Sequence, residues 1–174
     1  MTALLACDRY DCGDILGQKS VAFNYPLKIW DAIQLVEPLY FELVDEIHSK
    51  TLADQPHTRV IQNDHDASYS LWLDDRDYYI DWTWPADKIS RFVDAVGFPY
   101  SGALSRLGED EVVLKECKVI SDVNVENRAR HLGKVIFYEQ NMPVVVCADG
   151  LLAIKEITAL SGESLTINFR SRFT

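Results

Sequence analysis

Residues 78–107, "YYIDWTWPADKISRFVDAVGFPYSGALSRL", decide how the rest of this chain is read. Pro85-Ala86-Asp87 opens a helix. Proline is tolerated in a first turn, where its missing N–H would have no partner, and Asp87 suits the positive end of the helix dipole. Ile89, Phe92, Val93 and Val96 recur at spacings of three and four and form one apolar face. Gly97 is a helix stop. From Pro99 onward the apolar period changes to two. The stretch therefore predicts a helix over 85–96 that hands the chain over to a run of strands.

C-terminal to it, strands are expected at 102–107, 111–120, 133–139, 143–148 and 151–158, with a last one near 164–169. Turn signals separate them at Gly108-Glu109-Asp110, Gln140-Asn141 and Asp149-Gly150, the last a hairpin signature. Short strands at this spacing suggest a small barrel. Val112, Leu114, Val135, Ile136, Val144, Val146, Leu152 and Ile154 are its expected inner face.

N-terminal to the same stretch lies the polar connection 53–70. Before it, Pro26 opens a long helical pattern through Ile29, Ile33, Val36, Tyr40, Leu43, Val44 and Ile47. Pro38 within it should kink or split the helix. "TALLAC" (residues 2–7) and residues 15–23 read as strands, with a loop between them. The expected organisation is a first part at 1–52, a linker at 53–70 and a second part at 71–174.

Composition narrows the function classes. The chain has 174 residues, 48% of them apolar, and a net charge of -10. No apolar run approaches the roughly 20 residues of a membrane span, and the start lacks signal-peptide features, so a cytoplasmic location and no membrane partner are expected. The acidic balance argues against a nucleic-acid partner. The one basic cluster is Arg128, Arg130, His131 and Lys134, with Arg170 and Arg172 at the tail. Cys7, Cys12, Cys117 and Cys147 include no C-x-x-C pair and are expected to be reduced, mostly buried thiols. His48, His57, His65 and His131 show no metal-ligand spacing, so no metal is expected. Trp82 and Trp84 read as core anchors, and Asp81 as a cap or an Arg partner. Read from the residues alone, Asp11 either caps a turn or serves as an orienting carboxylate.

Two motifs carry a resemblance. "DCGDILGQ" (residues 11–18) resembles the D-x-G-x-I motif of the N10-formyltetrahydrofolate-dependent formyltransferases. The I-D-W of Ile80-Asp81-Trp82 and the P-Y-x-G-A of residues 99–103 resemble that family's second signature, in the same order. The resemblance implies an α+β chain: a remnant of a Rossmann-like formyltransferase sheet with a long helix, followed by a C-terminal OB-like open β-barrel. It implies N10-formyltetrahydrofolate as cofactor and Asp11 as the catalytic carboxylate. Asp8, Tyr10 and Asp11 would line the pterin pocket, Tyr78 and Tyr79 would approach the substrate opening, and Tyr100 would face the cleft as a further substrate contact. The family's catalytic Asn and His have no counterpart here. The expectation is therefore the C-terminal portion of a formyltransferase, inactive as an isolated chain, with an amine acceptor. The tail "INFRSRF" is similar to sugar N-formyltransferases and implies an amino-sugar nucleotide. A methionyl-tRNA formyltransferase-like piece and a non-catalytic interaction or dimerisation module are the alternatives. A homo-oligomer or a separate N-terminal partner is expected to cover the first part.

Overall fold

The computed structural model describes all of residues 1–174. The chain folds into two compact units, one of Met1–Leu27 with Asp31–Trp72 and one of Lys28–Trp30 with Leu73–Thr174.

The first unit holds β1 (Thr2–Leu4), β2 (Ile15–Gln18) and most of α1 (Ile29–Leu52). β1 and β2 pair antiparallel, Thr2 opposite Gln18 and Leu4 opposite Ile15. This two-stranded ladder is all the sheet the unit contains, too little to identify the expected remnant of a Rossmann-like sheet. The second strand was expected to reach residue 23. It ends at Gln18, and beside that end the Lys19 amide bonds the Met1 carbonyl at 2.9 Å. Pro38 lies inside α1 and does not end it. A proline forfeits one intrahelical bond, which a helix of 24 residues tolerates. Leu43 is the buried residue of α1, and its Cδ1 reaches the place where a Cβ on Gly17 would stand, 2.7 Å away. Lys19 and Lys50 both pair with Glu46, at 3.2 and 2.9 Å, and hold its carboxyl below the ordinary carboxylate range.

The second unit contains α2 (Ala86–Ala95) and a five-stranded antiparallel sheet: β3 (Ala103–Leu107), β4 (Asp110–Ile120), β5 (Val135–Glu139), β6 (Met142–Val146) and β7 (Leu151–Ala159), in the order β3-β4-β7-β6-β5. The helix and all five strands fall within a few residues of their expected places. The turns explain why. Gln140 and Asn141 both have positive φ, the requirement of a two-residue hairpin between Glu139 and Met142, and Gly150 takes φ 75° in the turn between β6 and β7.

Three expectations fail. No strand forms at 164–169, and the sheet does not close into a barrel by strand pairing. Instead the last residues run between the two edge strands. Arg106 and Thr174 exchange backbone hydrogen bonds on the β3 side, while Val135 N–H donates to Ser171 O and Phe173 N–H to Gly133 O on the β5 side. The tail thus satisfies edge groups that an open sheet leaves bare. The expected inner face is also split. Val112, Leu114, Val135, Val145, Cys147, Leu152 and Ile154 pack with α2, Trp82 and Phe173. Val144 and Val146 form a second cluster with Leu151 and Ala153, against which Ile136 packs. Alternation decides this: Val144 and Val146 share one face of β6, and Val145 and Cys147 the other. Every residue from Pro143 to Cys147 is buried, so the sheet is covered on both sides and polarity gave no parity signal.

Trp82 is a core anchor, as expected. Its Nε1–H donates to Ser105 Oγ at 3.0 Å, and the Ser105 hydroxyl donates to Thr174 O at 3.1 Å. This chain satisfies the buried polar Ser105 and ties the tail to β3. Trp84 is half-buried, edge-on to Phe92 and capped by the Lys88 ammonium. Asp81 accepts from the amide and the hydroxyl of Thr83, the capping role.

Arg128 locks the loop after β4. Its guanidinium donates to both carboxylate oxygens of Asp122 (2.6 and 2.8 Å) and to the carbonyls of Val123, Cys147 and Gly150. The pairing holds the Asp122 carboxyl below its ordinary range. Arg128→Ala should lower stability by about 2 kcal/mol, because two part-buried carbonyls lose a charged donor. A thermal melt would show a drop of roughly 4–8 °C. The sign on pH follows from the depressed Asp122 pKa: its contribution is present above the unfolded carboxylate range and lost as pH falls through the folded value, so the deficit of the variant should shrink in acid. A variant that melts with the parent at neutral pH would contradict this role.

Candidate functional site

The loop between β1 and β2 brings Asp8, Tyr10 and Asp11 together. All three are exposed, Tyr10 completely, and none of their side chains bonds to another group of the chain. The backbone beneath them is fixed. Leu5 N–H donates to Asp14 O at 2.9 Å, and the Gln62 amide donates from one nitrogen to the carbonyls of Asp11 (2.8 Å) and Gly13 (2.7 Å). An isolated bridge between Ile15 and Val60 brings Gln62 into place. The result is a held loop with free polar side chains, an arrangement suited to meeting a ligand.

The left-handed residue of the turn is Asp11, at φ 56°, a conformation that aspartate tolerates better than most residues. Gly13 serves close approach: a Cβ there would stand 1.7 Å from the Leu5 carbonyl oxygen. Gln62 had no local signal, because its partners Asp11 and Gly13 lie 51 and 49 residues away in the sequence.

Cys7 and Cys12 depart from the expectation of buried thiols. Cys7 is exposed, Cys12 is half-exposed, and their sulfurs lie 2.8 Å apart. Cys147 is buried and Cys117 largely so, and burial pushes both thiols up to about 12.

Tyr78 and Tyr100 belong to the second unit. Tyr78 is half-buried and packs against the main core, whereas Tyr100 is exposed in the turn before β3. Tyr79, beside Tyr78, has a structural role. Its hydroxyl donates to Glu111 Oε1 at 2.5 Å, and Arg106 pairs with the same oxygen at 3.1 Å. Both partners hold the Glu111 carboxyl below its usual range.

The second unit also gathers charge. Lys134 and Arg172 face one another in an antiparallel bridge, and the Arg172 guanidinium donates to Arg130 O at 2.6 Å. Arg170 lies over the exposed ring of Phe169. Arg130, Lys134, Arg170 and Arg172 thus converge on one edge with His131, and no carboxylate lies within ion-pair distance of any of the four. The two sequence stretches that supply them, 127–138 and 164–174, contain no Asp or Glu. The tail was visible in the sequence, but its pairing with residues 130–135 was not.

Residues 73–171 match the family described as formyl transferase, C-terminal domain. The chain belongs to the formyltransferases, as a C-terminal part. It is 24% identical over 175 residues to a methionyl-tRNA formyltransferase of Syntrophomonas wolfei, covering 100% of this chain and 54% of that protein. A methionyl-tRNA formyltransferase of Nitrosomonas europaea is 28% identical over 161 residues, covering 90% of this chain and 47% of that protein. The chain thus spans about half the length of the curated relatives it matches. Among solved structures, HypX from Aquifex aeolicus in complex with tetrahydrofolic acid superposes with a TM-score of 0.60 at 17% identity, over 91% of this chain and 27% of that one. That likeness concerns the fold. In this formyltransferase part, no group of three or more His, Cys, Asp or Glu side chains is placed to hold a metal, and no helix is long and apolar enough to cross a membrane.

Proposed function

We propose that this chain is the C-terminal region of a methionyl-tRNA formyltransferase-type enzyme, with the basic edge of its second unit holding RNA phosphates and the loop around Asp11 forming one wall of a formyl-folate pocket. The observation that carries the reading is the convergence of Arg130, Lys134, Arg170 and Arg172 without carboxylate partners, in a chain whose net charge is -10. Unpaired cations at one edge release counterions on meeting a phosphate backbone, and Phe169 offers a ring for an unpaired base to stack on. The names of the curated relatives support a tRNA acceptor over the amino-sugar nucleotide that the tail implied.

The first unit fits a folate in kind: a clamped backbone carries Asp8, Tyr10 and Asp11 as exposed polar side chains without internal partners. N10-formyltetrahydrofolate, when bound, supplies the formyl carbon that an amine attacks. Asp11 is the group here able to take up a proton or to orient a neighbouring cation. Tyr10 offers a ring and a hydroxyl to a heterocycle. By this reading the part of the tail that passes between β3 and β5 completes an OB-like unit.

The test is binding of fluorescent tRNA to the 174-residue chain across a salt series. The parent should show a steep loss of affinity with salt. Arg130→Glu with Arg170→Glu should weaken binding about tenfold or more at low salt and reduce the slope of log K on log salt by roughly two. Equal affinity and slope in parent and variant would reject the RNA reading. Saturable heat on titrating a sugar nucleotide, with no tRNA binding, would restore the amino-sugar acceptor.

A further inference from the structure

We propose that Cys7 and Cys12 are a reversible dithiol–disulfide pair that staples the loop carrying Asp8, Tyr10 and Asp11. The two sulfurs stand 2.8 Å apart, and both thiols also point at one carbonyl, that of Arg9, at 3.1 and 3.3 Å. A disulfide bond is about 2.05 Å long, so closure needs a movement of less than 1 Å between two side chains at the surface. Cys7 is exposed, which gives an oxidant access. The other two cysteines cannot compete: both are largely buried, with thiols pushed up to about 12.

Reactivity within the pair is asymmetric. Hydrogen bonds from the Cys12 thiol and the Arg9 backbone lower the Cys7 pKa, whereas Cys12 itself is raised. Cys7, the more exposed of the two, is therefore the attacking thiolate. With a hydroperoxide as oxidant, the Cys7 sulfur attacks the O–O bond; an S–O bond forms, the O–O bond breaks, and water or an alcohol leaves. Cys12, deprotonated, then attacks the Cys7 sulfur; the S–S bond forms, the S–O bond breaks, and water leaves. Two thiols lose two electrons and two protons, and one peroxide is reduced. A small dithiol reverses the step by exchange.

The residues enclosed are Asp8, Arg9, Tyr10 and Asp11. The loop carbonyls of Asp11 and Gly13 are already held by Gln62, so the disulfide fixes the remaining free side of the loop. The consequence for folate binding rests on the proposal that this loop is a pocket wall; the pairing itself does not.

Peptide mapping tests the pairing without any activity. Trypsin cuts after Arg9 and Lys19, so residues 1–9 and 10–19 become separate peptides, each with one cysteine. After brief hydrogen peroxide treatment of the folded chain, a non-reduced digest should contain these two peptides joined, and dithiothreitol should separate them. Cys12→Ser should instead leave Cys7 as a sulfenic acid that a cyclic dione traps, and Cys7→Ser should leave Cys12 largely unmodified. In the oxidised parent, amide exchange over residues 8–12 should slow and that of β4 to β7 should not change. Separate peptides carrying sulfinic or sulfonic acid, or crosslinks that include Cys117 or Cys147, would overturn the proposal. If the peptides join while folate affinity is the same in both redox states, the pairing stands and the pocket-wall reading falls.

Discussion

Val146→Asp should leave the second unit without a cooperative thermal transition. Val146 is fully buried in the cluster with Val144, Leu151 and Ala153. Both its backbone groups are committed, the amide to Lys134 O and the carbonyl to Gly133 N–H, so the residue cannot swing outward without opening the β5–β6 edge. A carboxylate packed among Val144, Leu151 and Ala153 must either stay charged in an apolar site or take up a proton. Either route costs about 4–7 kcal/mol, the free-energy equivalent of a three-to-five-unit pKa shift. Single domains hold only about 5–15 kcal/mol in total. Val146→Ala, which removes two methyl groups and leaves a small void, should cost about 1–3 kcal/mol and keep a sharp transition at lower temperature. Val119→Asp on the exposed part of β4 should stay within about 0.5 kcal/mol of the parent. Melts followed by near-ultraviolet circular dichroism, which reports on the buried Trp82, check all three. An Asp variant melting within a few degrees of the parent would place Val146 on a solvated face.

The strands of the second unit were legible because their turns are local. Gln140-Asn141 and Asp149-Gly150 demand positive φ from the residues that adopt it, and the helix at 86–95 announced itself through Pro85 and the spacing of Ile89 and Val93. What was not legible depends on distance. Nothing near Thr174 says that it will bond Arg106, and the apolar alternation in "SLTINF" suggested a strand where none forms. The face of β6 was unreadable for a different reason: five successive buried residues carry no polarity contrast. Under the RNA proposal, net charge is a poor guide to partners because it is a sum over the surface. A phosphate meets only the local field, and Arg130 and Arg172 come together through backbone pairing that the composition does not record. The resemblance to the formyltransferases rested on short motifs, each of which fixes a local geometry: the Asp11 loop, the cap at Asp81, the turn before β3.

Gly13→Ala should disrupt the Asp11 loop more than any other single methyl group added to the first unit. The added Cβ would lie 1.7 Å from the Leu5 oxygen and 2.8 Å from its carbonyl carbon. Both are backbone atoms, so no side chain can turn away to make room. Relief requires β1 and the far side of the loop to separate by more than 1 Å, which breaks the Leu5 N–H to Asp14 O bond. It also moves the Gly13 carbonyl off Gln62. Overpacking of this kind costs about 3 kcal/mol or more. Gly108→Ala is the matched control: it has a left-handed φ of 65° but nothing within 4 Å, so it bears only the conformational penalty of about 1–2 kcal/mol. Hydrogen exchange separates the outcomes by place. In Gly13→Ala, amides of residues 2–18 should lose protection while those of β4, β6 and β7 keep theirs; in Gly108→Ala the change should be confined to the turn between β3 and β4. If residues 2–18 exchange alike in parent and Gly13→Ala, the close approach of Leu5 to Gly13 is not what shapes the loop. The glycine of the D-x-G-x-I motif would then need another reason. If they diverge as expected, the motif has a physical meaning in this chain: aspartate takes the left-handed turn, and glycine makes room for the strand that passes beside it.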